Sequence, residues 1–319
     1  MNKSFAQKSK DRKSGSSKEE ITIKPQGIGS ISPLLLYQLV DSCVPSGGFA
    51  HSNTLEAAHQ LHLLTIHHSS WKVSLREHCF DVLLQSFTSI VPFLVETCEL
   101  FRNHYHSNRD DDQIQTNAGK IALQPPTENI LELWEHFDNE LRATMNSHVA
   151  CRASTTQGSG MLRAFSSAFP HINPVIKVLR RHIIKMTPIQ SLQSDCFGHA
   201  ATCFGAVCGL LDINNETCVS MFLYTTARDM VNAAVRMNLI GPLEGGCVTN
   251  ELCVGIDHLI QHKLSNMMEQ SCEKNVNIEQ HTRPFQKFDS RIRHSHQVAP
   301  LIEVLSNAHD RLYTRLFNS

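Results

Sequence analysis

The stretch PSGGFAHS, residues 45–52, combines a glycine pair with a histidine and two serines, residue types that serve phosphate binding and nucleophilic catalysis. Phosphate-binding loops require GxxxxGK[ST] after a strand, but no lysine follows these glycines and no strand pattern precedes them. A serine nucleophile is typically presented by GxSxG at a strand-to-helix turn, which Ser46, His51 and Ser52 do not form. The pattern therefore disfavours catalysis and leaves a partner contact or a structural break between two helices.

Histidine is the other residue type with metal chemistry, and the chain contains 19 of them. His258 and His262 are four residues apart on a predicted helix, so both rings fall on one face and can hold a metal. HLIQH lacks the zincin glutamate, and two ligands do not complete a site, so a solvated face is favoured. Other groups show no third and fourth ligand nearby: His59, His62, His67 and His68; His104 and His106; His294 and His296.

Two further side chains leave alternatives open. Phe49, beside the glycines, is either an aromatic anchor for a partner pocket or a hydrophobic staple for the next helix. Arg236 follows Ala233, Ala234 and Val235 in an otherwise apolar helix. If it is buried it needs a core carboxylate, and otherwise it faces a protein interface, where arginine is enriched.

The composition narrows the class of protein. A chain of 319 residues, 41% hydrophobic, can bury a substantial core. The 29 basic and 30 acidic residues nearly cancel, which argues against a basic nucleic-acid binder. Eleven cysteines without a CxxC pair are typical of buried thiols in a reducing compartment, so we expect a cytoplasmic protein. No apolar run reaches membrane-spanning length, and no signal peptide is recognisable.

The elements that position these residues are almost all helical. Apolar periodicity predicts a single all-α domain over residues 31–319, a bundle of roughly eight to ten helices. Residues 1–30 read as a disordered basic and serine-rich tail, with polar linkers at about 107–127 and 271–297. The small apolar residues of 196–211 predict a central helix. Further helix starts are predicted at Asn173, at about Thr249 and at Pro300. Asn53 and Glu56 have the spacing of a capping box for the second helix.

Five segments, in this order, resemble the urease accessory protein UreF family. They are LLLYQLVDSCVPSGGFAHSNTLEAA, ELRATMNSHVACRASTTQGSGMLRAF, CFGHAATCFGAVCGLL, NAAVRMNLIGPL and APLIEVLSNAHDRLYTRLFNS. The last segment is similar to the family's HxxLYxRLFxS ending, with His309, Leu312, Tyr313, Arg315, Leu316 and Phe317 matching. Bacterial members usually carry glutamines after the GPL-like turn, where this chain has Glu244, Gly245 and Gly246. The resemblance runs from about residue 31 to 319 and omits the tail and both linkers.

The resemblance implies an all-α protein without enzymatic activity and without a permanently bound cofactor or metal. It implies a scaffold for nickel insertion that dimerises and binds a UreD-type protein, also called UreH. Together with the UreD-type protein, the chain would bind a UreG-type GTPase and apo-urease. The resemblance also implies that this complex handles nickel and regulates GTP hydrolysis. The carried-over partner-contact residues are Ser46, Gly47, Gly48, Phe49, His51, Ser52, Glu56, Glu140, Arg142, Arg236, Gly241, His309, Tyr313, Arg315, Leu316 and Phe317.

Two other function classes stay open at this stage. The histidines and cysteines would suit a cytosolic metal-dependent hydrolase, which would purify with tightly bound metal. They would also suit a nickel storage or transfer protein that binds the metal directly through its histidines. Elemental analysis and nickel titration distinguish both from a scaffold.

Overall fold

The computed structural model describes residues 33–64, 71–106, 113–115, 121–186, 197–264, 267 and 291–319. These residues belong to one compact unit, Ile31–Ser319. The helices of the described part are α1 Pro33–Val40, α2 Leu55–Gln60, α3 Trp71–Ser89, α4 Val91–His106, α5 Glu128–Thr144, α6 His148–Ala168, α7 Asn173–Met186, α8 Ala200–Leu210, α9 Asn215–Arg236, α10 Pro242–Leu259 and α11 Pro300–Ala308. The predicted all-α class is confirmed.

Helix α8 forms the centre of the protein, as its small apolar residues predict. All of its residues are buried, and it packs against α4 and α6. Glycines permit the close approach, because a Cβ at Gly205 would lie 2.6 Å from the carbonyl oxygen of Leu94 in α4. A side chain there would separate the two backbones, so this contact depends on glycine.

A buried carboxylate fixes the start of α8. Asp138 of α5 accepts hydrogen bonds from the backbone N–H groups of Gly198 and His199, at 2.8 and 2.9 Å, and from the Thr202 hydroxyl. A negative charge at a helix N-terminus is stabilised by the unpaired N–H groups and the helix dipole. The chain reaches this position through Gly198, whose φ is +81°.

The predicted polar connections are only partly described. In the first, residues Gln113–Gln115 and Ile121–Leu123 form an antiparallel pair, β1 and β2, in which Ile114 lies opposite Ala122. The last residues of the second connection contact the helical body, since Arg291 forms ion pairs with Glu99 at 2.7 Å and Glu96 at 3.4 Å. The predicted tail, residues 1–30, lies outside the described residues.

Two helix starts differ from the sequence patterns. The Asn53–Glu56 capping box is wrong, because Asn53 and Thr54 both have positive φ and α2 begins only at Leu55, without a side-chain cap. Helix α10 begins at Pro242 rather than near Thr249, so the run Glu244–Gly246 is helical. There Gly245 lies against Val235 of α9, and this packing outweighs the low helix propensity of glycine.

Within the described part of the chain, no single helix is long and apolar enough to cross a membrane. Helices α3 and α4 meet that criterion only as a pair, and the pair is bent by 48°.

Candidate partner-binding surface

The glycine loop, residues 45–52, turns sharply between α1 and α2. Gly47 has a φ of +86°, and residues Gly48–Ala50 form a single turn of 3-10 helix. A Cβ at Gly48 would overlap the carboxylate of Asp229 in α9, which is itself paired with Arg228 at 2.8 Å. Glycine is therefore required at 47 by backbone conformation and at 48 by the close approach to α9.

The C-terminal segment, residues 309–319, returns across the molecule and hydrogen-bonds to this loop. The backbone N–H of Asn318 donates to the carbonyl of Ala50 at 2.8 Å. The carbonyl oxygen of Ser319 accepts from the Ser52 N–H at 2.7 Å and from the Ser52 hydroxyl at 2.9 Å. The Ser319 hydroxyl lies 2.6 Å from Nδ1 of His51, which is buried. The glycine loop and the C-terminal segment thus form one structural unit.

Glu56 connects α2 to the same segment. Its side chain is buried, and its two oxygens accept hydrogen bonds from the backbone N–H groups of Leu316 and Phe317, at 2.6 and 3.1 Å. Nε2 of the buried His309 lies 3.1 Å from Oε2 of Glu56. Gln60 completes the contact by donating to the carbonyl of Thr314 at 2.8 Å. A buried carboxylate with several donors is well solvated by the protein itself.

Arg236 lies between two aromatic rings. Its Cζ is 4.0 Å from the ring centroid of Phe49 and 4.4 Å from that of Phe317, and its Nη1 donates to the carbonyl of Phe49 at 2.5 Å. A guanidinium at this distance is attracted to the face of an aromatic ring. Phe317 is only 4% exposed, whereas Phe49 is 67% exposed. Arg236 therefore contacts one exposed and one buried aromatic ring, and its role at a protein interface stays a prediction.

A second charged group ties α6 to the segment. Nη2 of Arg152 lies 2.8 and 3.1 Å from the two oxygens of Asp310, and Arg315 and His148 each approach that carboxylate to 3.1 Å. The hydrogen bond from Arg152 is the main cause that lowers the pKa of Asp310.

The environment of His51 also changes the pKa of its imidazole. Burial lowers its pKa from the ordinary 6.5 to about 4, helped by electrostatic interactions with His309 and Arg152. The imidazole is therefore neutral near pH 7. Neither Ser46 nor Ser52 approaches it as a nucleophile would, because its described side-chain partner is Ser319.

The structure brings together most of the predicted contact residues. The loop residues 46–52, Glu56, Arg236, His309 and residues 315–317 lie in the network described above, and Tyr313 is 99% exposed beside it. Glu140 and Arg142 lie instead on α5, and Gly241 caps the start of α10. Their partner roles stay predictions. Phe317 differs from expectation, because its side chain is covered rather than presented.

Sequence reasoning missed several members of this network: Arg152, Asp229, Asp310, Gln60 and Ser319. Asp310 and Ser319 both stand in the C-terminal motif HDRLYTRLFNS, which was the available signal for them. Arg152, Asp229 and Gln60 carry no local pattern, because their partners are far away in the chain.

The described histidines do not assemble a metal site. His258 and His262 are neighbours as their spacing predicts, with ring centroids 4.3 Å apart. Nowhere in the described ranges do three His, Cys, Asp or Glu side chains come together in a group that could hold a metal ion. His67 and His68 lie outside those ranges.

These features define an all-helical protein whose candidate site is a surface of exposed aromatic and charged groups. The sequence model of the UreF family matches residues 72–253. The chain is 30% identical to Urease accessory protein F of Arabidopsis thaliana over 283 residues, which cover 89% of this chain and 91% of that protein. It is 28% identical to Urease accessory protein F of Oryza sativa subsp. indica over 88% of this chain and 83% of that protein.

A fungal protein is similar as well. Urease accessory protein 6 of Cryptococcus neoformans var. grubii is 24% identical over 89% of this chain and 96% of its own length. The chain belongs to the UreF family.

Proposed function

We propose that this chain is a non-catalytic urease accessory protein, a scaffold for nickel insertion into apo-urease in the cytoplasm. It binds a UreD/UreH-type accessory protein and a UreG-type GTPase, and it dimerises within that complex. Nickel is cargo of the assembly rather than a cofactor of this chain, and GTP hydrolysis is regulated through the assembly. Membership of the UreF family and the names of the relatives support this proposal.

One structural observation carries the proposal. The surface made by the glycine loop and the C-terminal segment exposes large apolar side chains, with Phe49 at 67%, Leu316 at 54% and Tyr313 at 99% exposure. Arg236 lies against one of them. Aromatic residues and arginine are enriched at protein interfaces and supply most hot spots. Exposed apolar groups of this size therefore favour contact with a protein partner.

The anchoring of the segment also suits a docking surface. Leu316 and Phe317 are held by Glu56 through their backbone N–H groups, so the side chain of Leu316 points outward from a fixed backbone. A surface that is ordered before binding loses less conformational entropy on association.

The test is co-purification with the UreD-type protein of the same organism. We expect Leu316→Ala combined with Phe49→Ala to weaken the complex by roughly tenfold or more, as for hot-spot residues. Ile184→Ala is the matched control, because Ile184 is an equally exposed apolar residue on α7, 72% accessible. Circular dichroism verifies that each variant keeps its helices.

Truncation gives a stronger form of the test. A chain ending at Arg311 lacks Leu316 and Phe317, and it should fail both to bind the UreD-type protein and to support urease activation. Full activation by this truncated chain would contradict the proposal. Stoichiometric nickel in the purified chain alone would favour the nickel-transfer alternative instead.

A further inference from the structure

A positively charged cleft lies beside the partner surface, between α6 and the C-terminal segment. Its volume is about 500 Å³. The residues that matter for its chemistry are His51, Arg152, Thr156, Arg315, Phe317 and Asn318. None of the described residues lining it is acidic. Its polar wall is therefore built mainly from hydrogen-bond donors.

The charge around the cleft is not balanced. Two guanidinium groups, those of Arg152 and Arg315, share the single carboxylate of Asp310, with N–O distances of 2.8 and 3.1 Å. His148 approaches the same carboxylate at 3.1 Å. Arginine is charged at any ordinary pH, so the two guanidinium groups carry one more charge than the carboxylate that they share. The next carboxylate, Glu56, is buried and already accepts from the Leu316 and Phe317 N–H groups beside His309. Burial is the main cause that lowers the pKa of His51, followed by its interactions with His309 and then with Arg152.

Donor groups remain available to a ligand. The side chains of Arg152 and Arg315 are 41% and 49% exposed, and each guanidinium has five N–H donors, of which Asp310 occupies only part. Asn318 is exposed and adds a side-chain amide at the rim. The Thr156 hydroxyl already donates to the Arg152 carbonyl at 2.7 Å, so it offers an acceptor only.

The composition of the surroundings identifies the ligand class. A guanidinium pairs with a carboxylate through two parallel hydrogen bonds, and two guanidinium groups can hold one acidic side chain firmly. The adjacent Leu316 and Tyr313 are exposed and apolar, which suits a polypeptide better than an isolated ion. We propose that this cleft binds an aspartate or glutamate side chain from an acidic segment of a partner protein.

This inference rests on the proposed function for the existence of a protein partner, and it adds the chemistry that the partner must present. In the complex with the UreD-type protein, Arg315→Gln should weaken binding by about tenfold, with a shallower dependence on salt. Asp310→Asn should strengthen binding several-fold, because it removes the internal competitor for both guanidinium groups. Arg180→Gln, an exposed arginine on α7, is the matched control.

Arg315→Gln and Asp310→Asn together show whether these residues recognise a charge on the partner or only hold the C-terminal segment in place. If Arg315 and Asp310 only hold the segment in place, both substitutions should weaken binding by similar factors. That outcome would overturn the inference while leaving the scaffold role intact.

A second measurement does not need the partner. Titration of the full chain with a hexaglutamate peptide should shift the side-chain Nε–H NMR signals of Arg152 and Arg315, and not those of Arg180. Absent shifts, or equal shifts with the same concentration of inorganic phosphate, would overturn the assignment to an acidic peptide segment. If the wild-type chain binds no UreD-type protein, the proposed function fails and this titration still decides the inference.

Discussion

Glu56, in the short helix α2, connects that helix to the C-terminal segment. Its carboxylate receives two backbone N–H groups of the C-terminal segment and lies 3.1 Å from the ring of His309. An ionised acceptor makes hydrogen bonds about twice as strong as a neutral one. Glu56 is thus the side chain that orders the segment beneath the proposed partner surface.

We expect Glu56→Gln to lower the free energy of unfolding by about 2 kcal/mol, because charge-assisted bonds become neutral and His309 loses an anionic neighbour. Urea denaturation measures the change, and Glu140→Gln on an exposed part of α5 is the control. Carboxypeptidase digestion should also release the last residues faster in the Glu56 variant. Equal midpoints and equal digestion rates would show that the segment is held by other contacts.

His51 makes stability depend on pH. Its pKa is about 4 in the folded protein and the ordinary 6.5 when exposed, so the unfolded chain binds the proton more tightly. Stability from this group is complete above pH 6.5 and is lost as the pH falls towards 4, a change of about 3 kcal/mol.

The measurement compares wild type with His51→Gln by urea denaturation at several pH values. The variant should lose less stability between pH 6.5 and 4 than wild type does. His262→Gln, at an exposed position beyond α10, should follow the wild-type profile. If the stability of wild type and of His51→Gln changes with pH in the same way, the buried His51 ring does not cause the pH dependence.

At the scale of elements, glycines decide how closely the central helices approach. A Cβ at Gly209 of α8 would overlap the Cys98 carbonyl and lie 2.8 Å from Cβ of Phe101, both in α4. No atom lies within 4 Å of a Cβ built at Gly246 of α10. The two glycines are both helical, so they form a matched pair.

We expect Gly209→Ala to destabilise the protein by about 1–3 kcal/mol, because two backbones must separate. Gly246→Ala should instead stabilise it by up to about 1 kcal/mol, through higher helix propensity without a steric conflict. Thermal unfolding monitored by circular dichroism shows whether each substitution lowers or raises the stability of the protein. Destabilisation by both substitutions would show that propensity and packing have been assigned wrongly.

At the scale of the whole molecule, the described cysteines differ in how deeply they are buried. Cys43 and Cys247 are exposed, whereas Cys98, Cys203 and Cys218 are fully buried with thiol pKa values raised well above the ordinary one. Burial is the main cause at Cys203 and Cys218, and a hydrogen bond with Cys218 is the main cause at Cys98. Only thiolates react rapidly with disulfide reagents.

Peptide mapping after brief labelling of the native protein should therefore find Cys43 and Cys247 modified and the three buried thiols protected. In urea all five should react. Rapid native labelling of Cys203 would contradict the central position of α8, since that residue lies in the middle of the core.

Local patterns predicted much of the fold. The starts of α7 at Asn173 and α11 at Pro300 were recognisable, because a helix start depends on hydrogen bonds within the next few residues. The burial of α8 followed from its small apolar composition. The start of α10 at Pro242 was placed too late in the chain, because two residues of low helix propensity, Gly245 and Gly246, follow it. Of these two, Gly245 packs against Val235 of α9, a contact that no local pattern encodes.

The sequence by itself determined the helical class, the central helix and the family, all of which depend on near-neighbour spacing or on motif order. Only the tertiary structure decided which of the motif residues meet. Glu56 and Leu316, joined by a 2.6 Å hydrogen bond, are 260 residues apart, and Arg152 and Asp310 are separated by 158. No periodicity encodes such pairs, since they form only when the packed helices bring the chain end back to the glycine loop. Arg236 is a further example, because its two aromatic neighbours, Phe49 and Phe317, are far apart in the sequence.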